Sequence, residues 1–184
     1  VTWGEYTINR LYPKKQPSNI DSIIPNLIYI LDREDNDEAL LKYLNKNLPE
    51  LEGDPIIQIG TTFHLFGSDE IIYKNIITLH SCDLIDNVDV IECETEGEVL
   101  MTWKSLIKEK NPDILTGYNI LGFDFKYIYE RSKELQVHEN FQDGLGRSNE
   151  RFVPFITRTM FSSAMGEVIT SYYDMEGILI IDLF

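Results

Sequence analysis

Basic side chains are scarce in this sequence: 16 Lys and Arg stand against 31 Asp and Glu, a formal net charge of −15. Neutralising phosphates takes Lys and Arg, so the balance argues against a grip on nucleic acid built from this segment's own charge. Long apolar runs are lacking too. None approaches the length that a membrane-crossing helix needs, and no signal-peptide pattern opens the chain. The only cysteines, Cys82 and Cys93, are too few for a disulfide framework. A reducing compartment is therefore the default, with both thiols as small buried or half-buried residues. Internal repeats and low-complexity tracts are absent. So is an initiator Met: the chain starts at Val1 and stops at Phe184 inside an apparent strand, Gly177–Phe184. Both ends read as cut, and the expectation is a segment of something larger.

What is present is the composition of a folded domain. Hydrophobic residues make up 43% and charged residues 26% of 184 positions, enough to build one ordinary core. The first 25 residues, with Pro13 and Pro17, show no period and read as mostly irregular. Ile28–Leu31 is a short apolar run that suggests a strand. Leu40, Leu41, Leu44 and Leu48 fall at helical spacing within residues 37–48. From Pro55 the character changes. Residues 55–63 are rich in β-branched and aromatic side chains and read as a strand, and Ile71–Leu79 as its hairpin partner across Gly67. Val88–Cys93 is a shorter extended stretch. Thr95 and Glu98 have capping-box spacing, in which each side chain satisfies a free backbone N–H of the other. The helix that follows buries Val99, Leu100, Trp103, Leu106 and Ile107 and stops at Asn111-Pro112. Residues 114–119 then read as a strand, Gly122 as a turn, and 124–135 as a helix with Phe125, Ile128 and Leu135 on one face. After a loose stretch at 142–146 come hairpin-like strands around 168–173 and 178–183. Strands followed by strand–helix alternation indicate an α/β sheet with helices against it.

The chemically informative stretch is residues 111–131. Asn119 sits where the strand ends and Asp124 in the first turn of the next helix. Strand C-terminal ends are where open α/β sheets place ligands. A carboxylate there can hold a divalent cation, an amide beside it can hold substrate, and Phe123 offers a flat face for a nucleobase. On spacing alone the plain alternatives stand beside this: an N-terminal cap for Asp124 and a turn residue for Asn119.

Tyr118-Asn119-Ile-Leu-Gly-Phe123-Asp124, with Asn111-Pro-Asp-Ile before it and Tyr127 and Arg131 after it, resembles the second exonuclease motif of family B DNA polymerases. Residues 54–64 resemble the strand that follows that family's first motif. Gly144–Arg147, Ser162–Gly166 and Gly177–Leu183 resemble the segments joining its second and third motifs. The approach Leu48-Pro-Glu-Leu-Glu-Gly-Asp54 is similar to polymerases of large DNA viruses that infect eukaryotes.

The resemblance implies a ribonuclease H-like α/β fold, a mixed sheet flanked by helices, here lacking its first strand and last helices. Residues 1–50 would be an irregular and helical insertion, and 51–184 a partial 3′–5′ exonuclease domain. The implied activity is proofreading in DNA replication: two Mg2+ or Mn2+ ions, held by acidic residues, drive hydrolysis of the 3′-terminal phosphodiester. Asp124 would be the metal ligand of the second motif, and Asn119 and Phe123 the residues that hold the frayed 3′ end. The partners implied are the primer 3′ end, the remaining domains of the same polymerase and a sliding clamp, with no membrane. The implied place is the site of replication, in a nucleus or a cytoplasmic viral factory. A nuclease of this kind can be acidic locally, with its hold on DNA supplied by neighbouring domains. The alternatives are a catalytically silent exonuclease-like scaffold or template-binding module, and a free-standing ribonuclease H-like nuclease.

The sequence departs from the family in two places. Asp-Ile-Glu, expected shortly before Asp54, is missing; the nearest pattern is Asp32-Arg-Glu34, which reads equally well as a charged helix start. The third motif would lie past Phe184. The segment alone is therefore expected to be inactive. His64, His80 and His138 match no role, and Asp182 is expected to be structural or hydrogen-bonding rather than a metal ligand.

Overall fold

The computed structural model describes residues 2–3, 6–7, 28–29, 38, 40–43, 53–147, 151–162 and 166–184. The chain divides into two units, Val1–Asp54 and Pro55–Phe184. In the first, β1 (Thr2–Trp3) and β2 (Tyr6–Thr7) pair antiparallel, Thr2 opposite Thr7 and Trp3 opposite Tyr6. Strands of two residues are too short to show the period-2 signal that marks a strand, so the sequence gives no sign of them within a stretch read as mostly irregular. Ile28 and Tyr29 are helical and exposed, not a strand, because a short apolar run carries no period that separates the two states. Residues 38 and 40–43 are helical, with Leu40 only 2% exposed. Asp32 and Glu34 lie outside the described residues.

The second unit begins with a three-stranded mixed sheet. β3 (Gln58–His64) pairs antiparallel with β4 (Ile71–Leu79), the register slipping between Phe63 and His64. β4 pairs parallel with β5 (Asp89–Cys93), Asn75 opposite Asp89 and Leu79 opposite Cys93. The chain then enters α1 (Glu96–Lys110) through the capping box. Glu98 N donates to Thr95 Oγ1 at 3.3 Å, and Glu98 Oε2 accepts from Thr95 N at 3.2 Å and Glu94 N at 2.9 Å. At the other end Asn111 takes a left-handed conformation (φ 46°), its N–H bonding Ile107 O at 2.9 Å, and Pro112 prevents the helix from continuing. Val99, Leu100, Trp103, Leu106 and Ile107 are all buried, as their spacing predicts. Complete burial stabilises by about 1.5–3 kcal/mol for each large aliphatic side chain.

β6 (Ile114–Gly117) follows, then a π-helical turn (Ile120–Asp124), α2 (Phe125–Glu134) and the short α3 (His138–Gln142), which ends where the stretch read as loose begins. β7 (Phe155–Ser162) and β8 (Gly166–Tyr173) form an antiparallel hairpin. β9 (Leu179–Asp182) pairs parallel with β6, Ile114 opposite Leu179 and Gly117 opposite Asp182. The hairpin expected across 168–183 is thus corrected: the first of those strands pairs backwards with β7 and the second crosses to β6. A local apolar pattern identifies strands but not such distant partners.

The aromatic centre of the core is Tyr173, with Phe125, Phe141 and Phe155 packed around it at ring-centre distances of 5.8, 5.6 and 5.1 Å. Trp103 of α1 stacks on Phe141, joining this cluster to the helix. The loss of water at Tyr173 pushes its hydroxyl pKa well above the ordinary range, so the ring stays neutral.

Candidate functional site

Three backbone features build the corner between β6 and α2. Asn119 takes a left-handed conformation (φ 59°, ψ 27°), which Asn adopts at lower cost than most residues. Its carbonyl accepts from Gly122 N at 3.2 Å and Phe123 N at 2.9 Å. One π-helical turn then closes when Phe125 N–H bonds Ile120 O, and π turns are uncommon and concentrate at functional sites. Finally, the turn has no room for extra carbon. A Cβ on Gly117 would run into Ile120 Cγ2, and one on Gly122 into Asn119 Oδ1.

Asp124 ends the π turn and stands immediately before α2. It is exposed, and its side chain makes no capping bond to the helix, so the plain capping role is not the one seen here. Its carboxyl pKa is raised: partial loss of water is the main cause, the Asp182 charge adds to it, and its own backbone N–H opposes it. Asp182, half-buried at the end of β9, shows the reverse balance. Burial would raise its pKa, but main-chain N–H groups of Leu121, Phe184 and Asn119 outweigh that and hold it below the ordinary value.

A cleft of ≈ 900 Å³ opens beside Asp124. Consecutive residues of β3 and of β6 line it, so the cleft meets the main-chain edges of both strands rather than one face of either. Among the described residues each strand is paired on one side only, β3 with β4 and β6 with β9. Trp103, Phe125 and Ile128 contribute apolar wall, while Asp124, Tyr118 and Tyr127 sit among the polar lining groups.

Asn119 and Phe123 stand beside this lining rather than on it. The Asn119 side chain is turned in over Gly122. Phe123 is 58% exposed and stacks on Tyr127 (5.5 Å, 21°), which does line the cleft. Phe123 therefore extends the aromatic surface outward from the cleft. His64 lies on the lining, at the end of β3; His80 is exposed after β4, and His138 begins α3.

Among the described residues, no three His, Cys, Asp or Glu side chains converge as a metal cage. Hard divalent cations take oxygen donors, which the unbridged, exposed Asp124 carboxylate offers. Asp182 fits less well, since its oxygens are occupied by N–H groups. The described residues thus fit one ligand position of a cation site.

Sequence reasoning passed over Tyr118 as a lining residue; the hydrogen-bonding role expected of Asp182 stands, with the main-chain N–H groups of Asn119, Leu121 and Phe184 as its partners. Two glycines five residues apart around Asn119 were the available signal for an unusually tight turn.

The sequence model for "DNA polymerase family B, exonuclease domain" matches residues 2–184. The chain is 40% identical to the DNA polymerase of Pyramimonas orientalis virus over 95% of its own length and 16% of that protein's. It is 39% identical to the DNA polymerase delta catalytic subunit of Glycine max over 74% of its length and 12% of that protein's. To the DNA polymerase of Phaeocystis pouchetii virus the identity is 32%, over 86% and 17%. The chain thus spans about a sixth or less of these relatives.

Proposed function

The chain belongs to the exonuclease-domain family of family B DNA polymerases, and from that premise we propose that it is part of a 3′–5′ proofreading exonuclease within a longer DNA polymerase. The observation that carries this reading is the position of Asp124: an uncapped carboxylate at a strand–turn–helix junction, on the lining of a large cleft.

In this reading the fold is ribonuclease H-like, and a further strand enters between β3 and β6. The two strand edges along the cleft, which have no partner among the described residues, support it, because each carries a row of N–H and C=O groups that a strand between them would satisfy. Asp124 is a ligand for Mg2+ or Mn2+, with the remaining ligands outside the described residues. When bound, two such ions supply an activated water and stabilise the leaving 3′ oxygen. Asn119 and Phe123 hold the unpaired primer end, Phe123 by stacking on a base from its exposed position beside Tyr127. With a net charge of −15, the segment leaves the grip on the duplex to other domains of the polymerase and to a sliding clamp. The reading places the protein at the site of DNA replication.

The test is degradation of a labelled primer by the full-length polymerase and by the 184-residue segment, each with and without Asp124→Ala. Full-length protein should excise, the full-length variant should lose excision while keeping nucleotide addition, and neither segment should be active. Absence of excision in the full-length wild type would instead favour a catalytically silent module.

A further inference from the structure

Two conformations in the β6–α2 corner are intrinsically unfavourable: the left-handed Asn119 and the π turn that follows. A strained backbone residue costs on the order of 1–3 kcal/mol and persists only where its surroundings over-determine it. One side chain supplies that determination from 61 to 63 residues away. Asp182 Oδ1 accepts from Asn119 N at 2.7 Å, and Oδ2 from Leu121 N at 2.9 Å. Oδ1 also accepts from Phe184 N at 3.0 Å, which folds the chain after β9 back beneath the corner. There Leu183 N bonds Gly117 O at 2.9 Å, and the Phe184 ring meets Tyr118 edge-on at 5.5 Å. Bonds from N–H groups to an ionised carboxylate are about twice as strong as neutral ones.

We propose that Asp182 is the positioning residue of this site: its carboxylate clamps Asn119 and Leu121 and so fixes where Asn119 and Asp124 stand relative to the cleft. The β6–β9 register makes this possible, because Gly117 lies opposite Asp182 and puts the carboxylate beside the strand exit. Asp182 acts through the backbone, touching neither substrate nor metal. This rests on the reading of Asp124 as the excision ligand.

Asp182→Ala removes all three bonds. Asp182→Asn is milder, since an amide oxygen in place of Oδ1 keeps Asn119 and Phe184 satisfied while its NH2 opposes Leu121 N–H. The experiment uses the full-length polymerase with Asp182→Ala, Asp182→Asn and Asp124→Ala. Primer excision, nucleotide addition and peptide-resolved amide exchange are each measured. Misplacement of reacting groups by about 1 Å costs up to 10²-fold in rate. Excision should therefore fall about 10- to 100-fold in Asp182→Ala and less in Asp182→Asn, with nucleotide addition unchanged. Exchange should rise in peptides covering 118–125 and stay unchanged in those covering α1 and β3–β5, which a general loss of stability would not produce. Normal excision in Asp182→Ala, or unaltered exchange at 118–125, would overturn the proposal. If Asp124→Ala excised normally, the reading of Asp124 would fail instead. The exchange result alone would then decide whether Asp182 positions the corner.

Discussion

Arg131 and Glu96 form a buried two-pronged pair. Arg131 Nε donates to Glu96 Oε1 at 2.8 Å and Nη2 donates to Oε2 of the same carboxylate, with the two residues 5% and 8% exposed. Glu96 Oε1 also accepts from Ile56 N at 2.9 Å, and Arg131 Nη1 reaches Glu134. Hydrogen bonding to Glu96 is the chief reason that the Arg131 pKa lies above its ordinary value. One carboxylate thus joins the approach to β3, the first turn of α1 and the last turn of α2.

Breaking this pair from one side should be costly. Glu96→Ala leaves a guanidinium buried without its main partner and is expected to destabilise the chain by about 3–5 kcal/mol. Glu96→Leu with Arg131→Met should cost clearly less than the sum of the single changes, because neither charge is then stranded. Urea unfolding followed by tryptophan fluorescence measures both. Additive losses would show that the pair is not coupled.

Asp124→Asn should leave the fold at least as stable as wild type in metal-free neutral buffer. A carboxyl whose folded pKa lies above its unfolded value holds its proton more tightly in the folded state, so its ionised form opposes folding. That opposition is complete above the folded pKa, shrinks as the pH falls through it and is gone below the ordinary value of 3.8. The variant's advantage should follow the same course in unfolding midpoints measured from neutral to acid pH. A variant less stable at neutral pH would mean that the carboxylate makes a stabilising folded-state contact.

Tyr73 gives an alkaline counterpart. Its hydroxyl donates to Asp89 Oδ2 at 2.6 Å, and this bond, with partial burial and the nearby acidic charge, pushes its pKa from 10.0 to about 12. The contribution of the bond to stability is full below pH 10 and is lost as the pH rises toward 12. Asp89→Ala should bring one late-ionising tyrosine back toward pH 10 in a titration of phenolate absorbance. A titration curve unchanged by that substitution would remove the bond from solution.

Elements whose causes are local were legible in the sequence. The capping box at Thr95 and Glu98, the stop at Asn111-Pro112 and the apolar face of α1 involve neighbours within a few residues, and all stand as read. So do the antiparallel pairing of β3 with β4 and the strand–turn–helix around Gly122. The parallel pairing of β6 with β9 was not legible, because Ile114 and Leu179 are joined across most of the second unit. Asp182 shows the same limit at the site. Its sequence neighbours mark a strand, and only the distant Asn119 and Leu121 reveal what its carboxylate does. Asn119 itself was half legible: Asn where a strand ends signals a turn, but that its side chain folds in over Gly122 depends on the π turn.

Gly122→Ala tests that last contact. Gly122 does not have the positive φ that would make an alanine strained in its backbone, and within a helical turn alanine is ordinarily favoured over glycine by about 1 kcal/mol. The added methyl would instead meet Asn119 Oδ1, so the amide must swing out of the corner. Nothing in the core is touched, and stability should change by less than about 1 kcal/mol. If Asn119 holds the primer end, excision by the full-length polymerase should fall about 10-fold, within the cost of a misplaced group, while nucleotide addition is unaffected. The decisive comparison is a double-mutant cycle with Asn119→Ala. Once the amide is gone the methyl has nothing to displace, so Gly122→Ala should add little further loss in that background. An equal loss in both backgrounds would mean that the methyl acts on the turn itself, and Asn119 would drop out as the group whose placement matters.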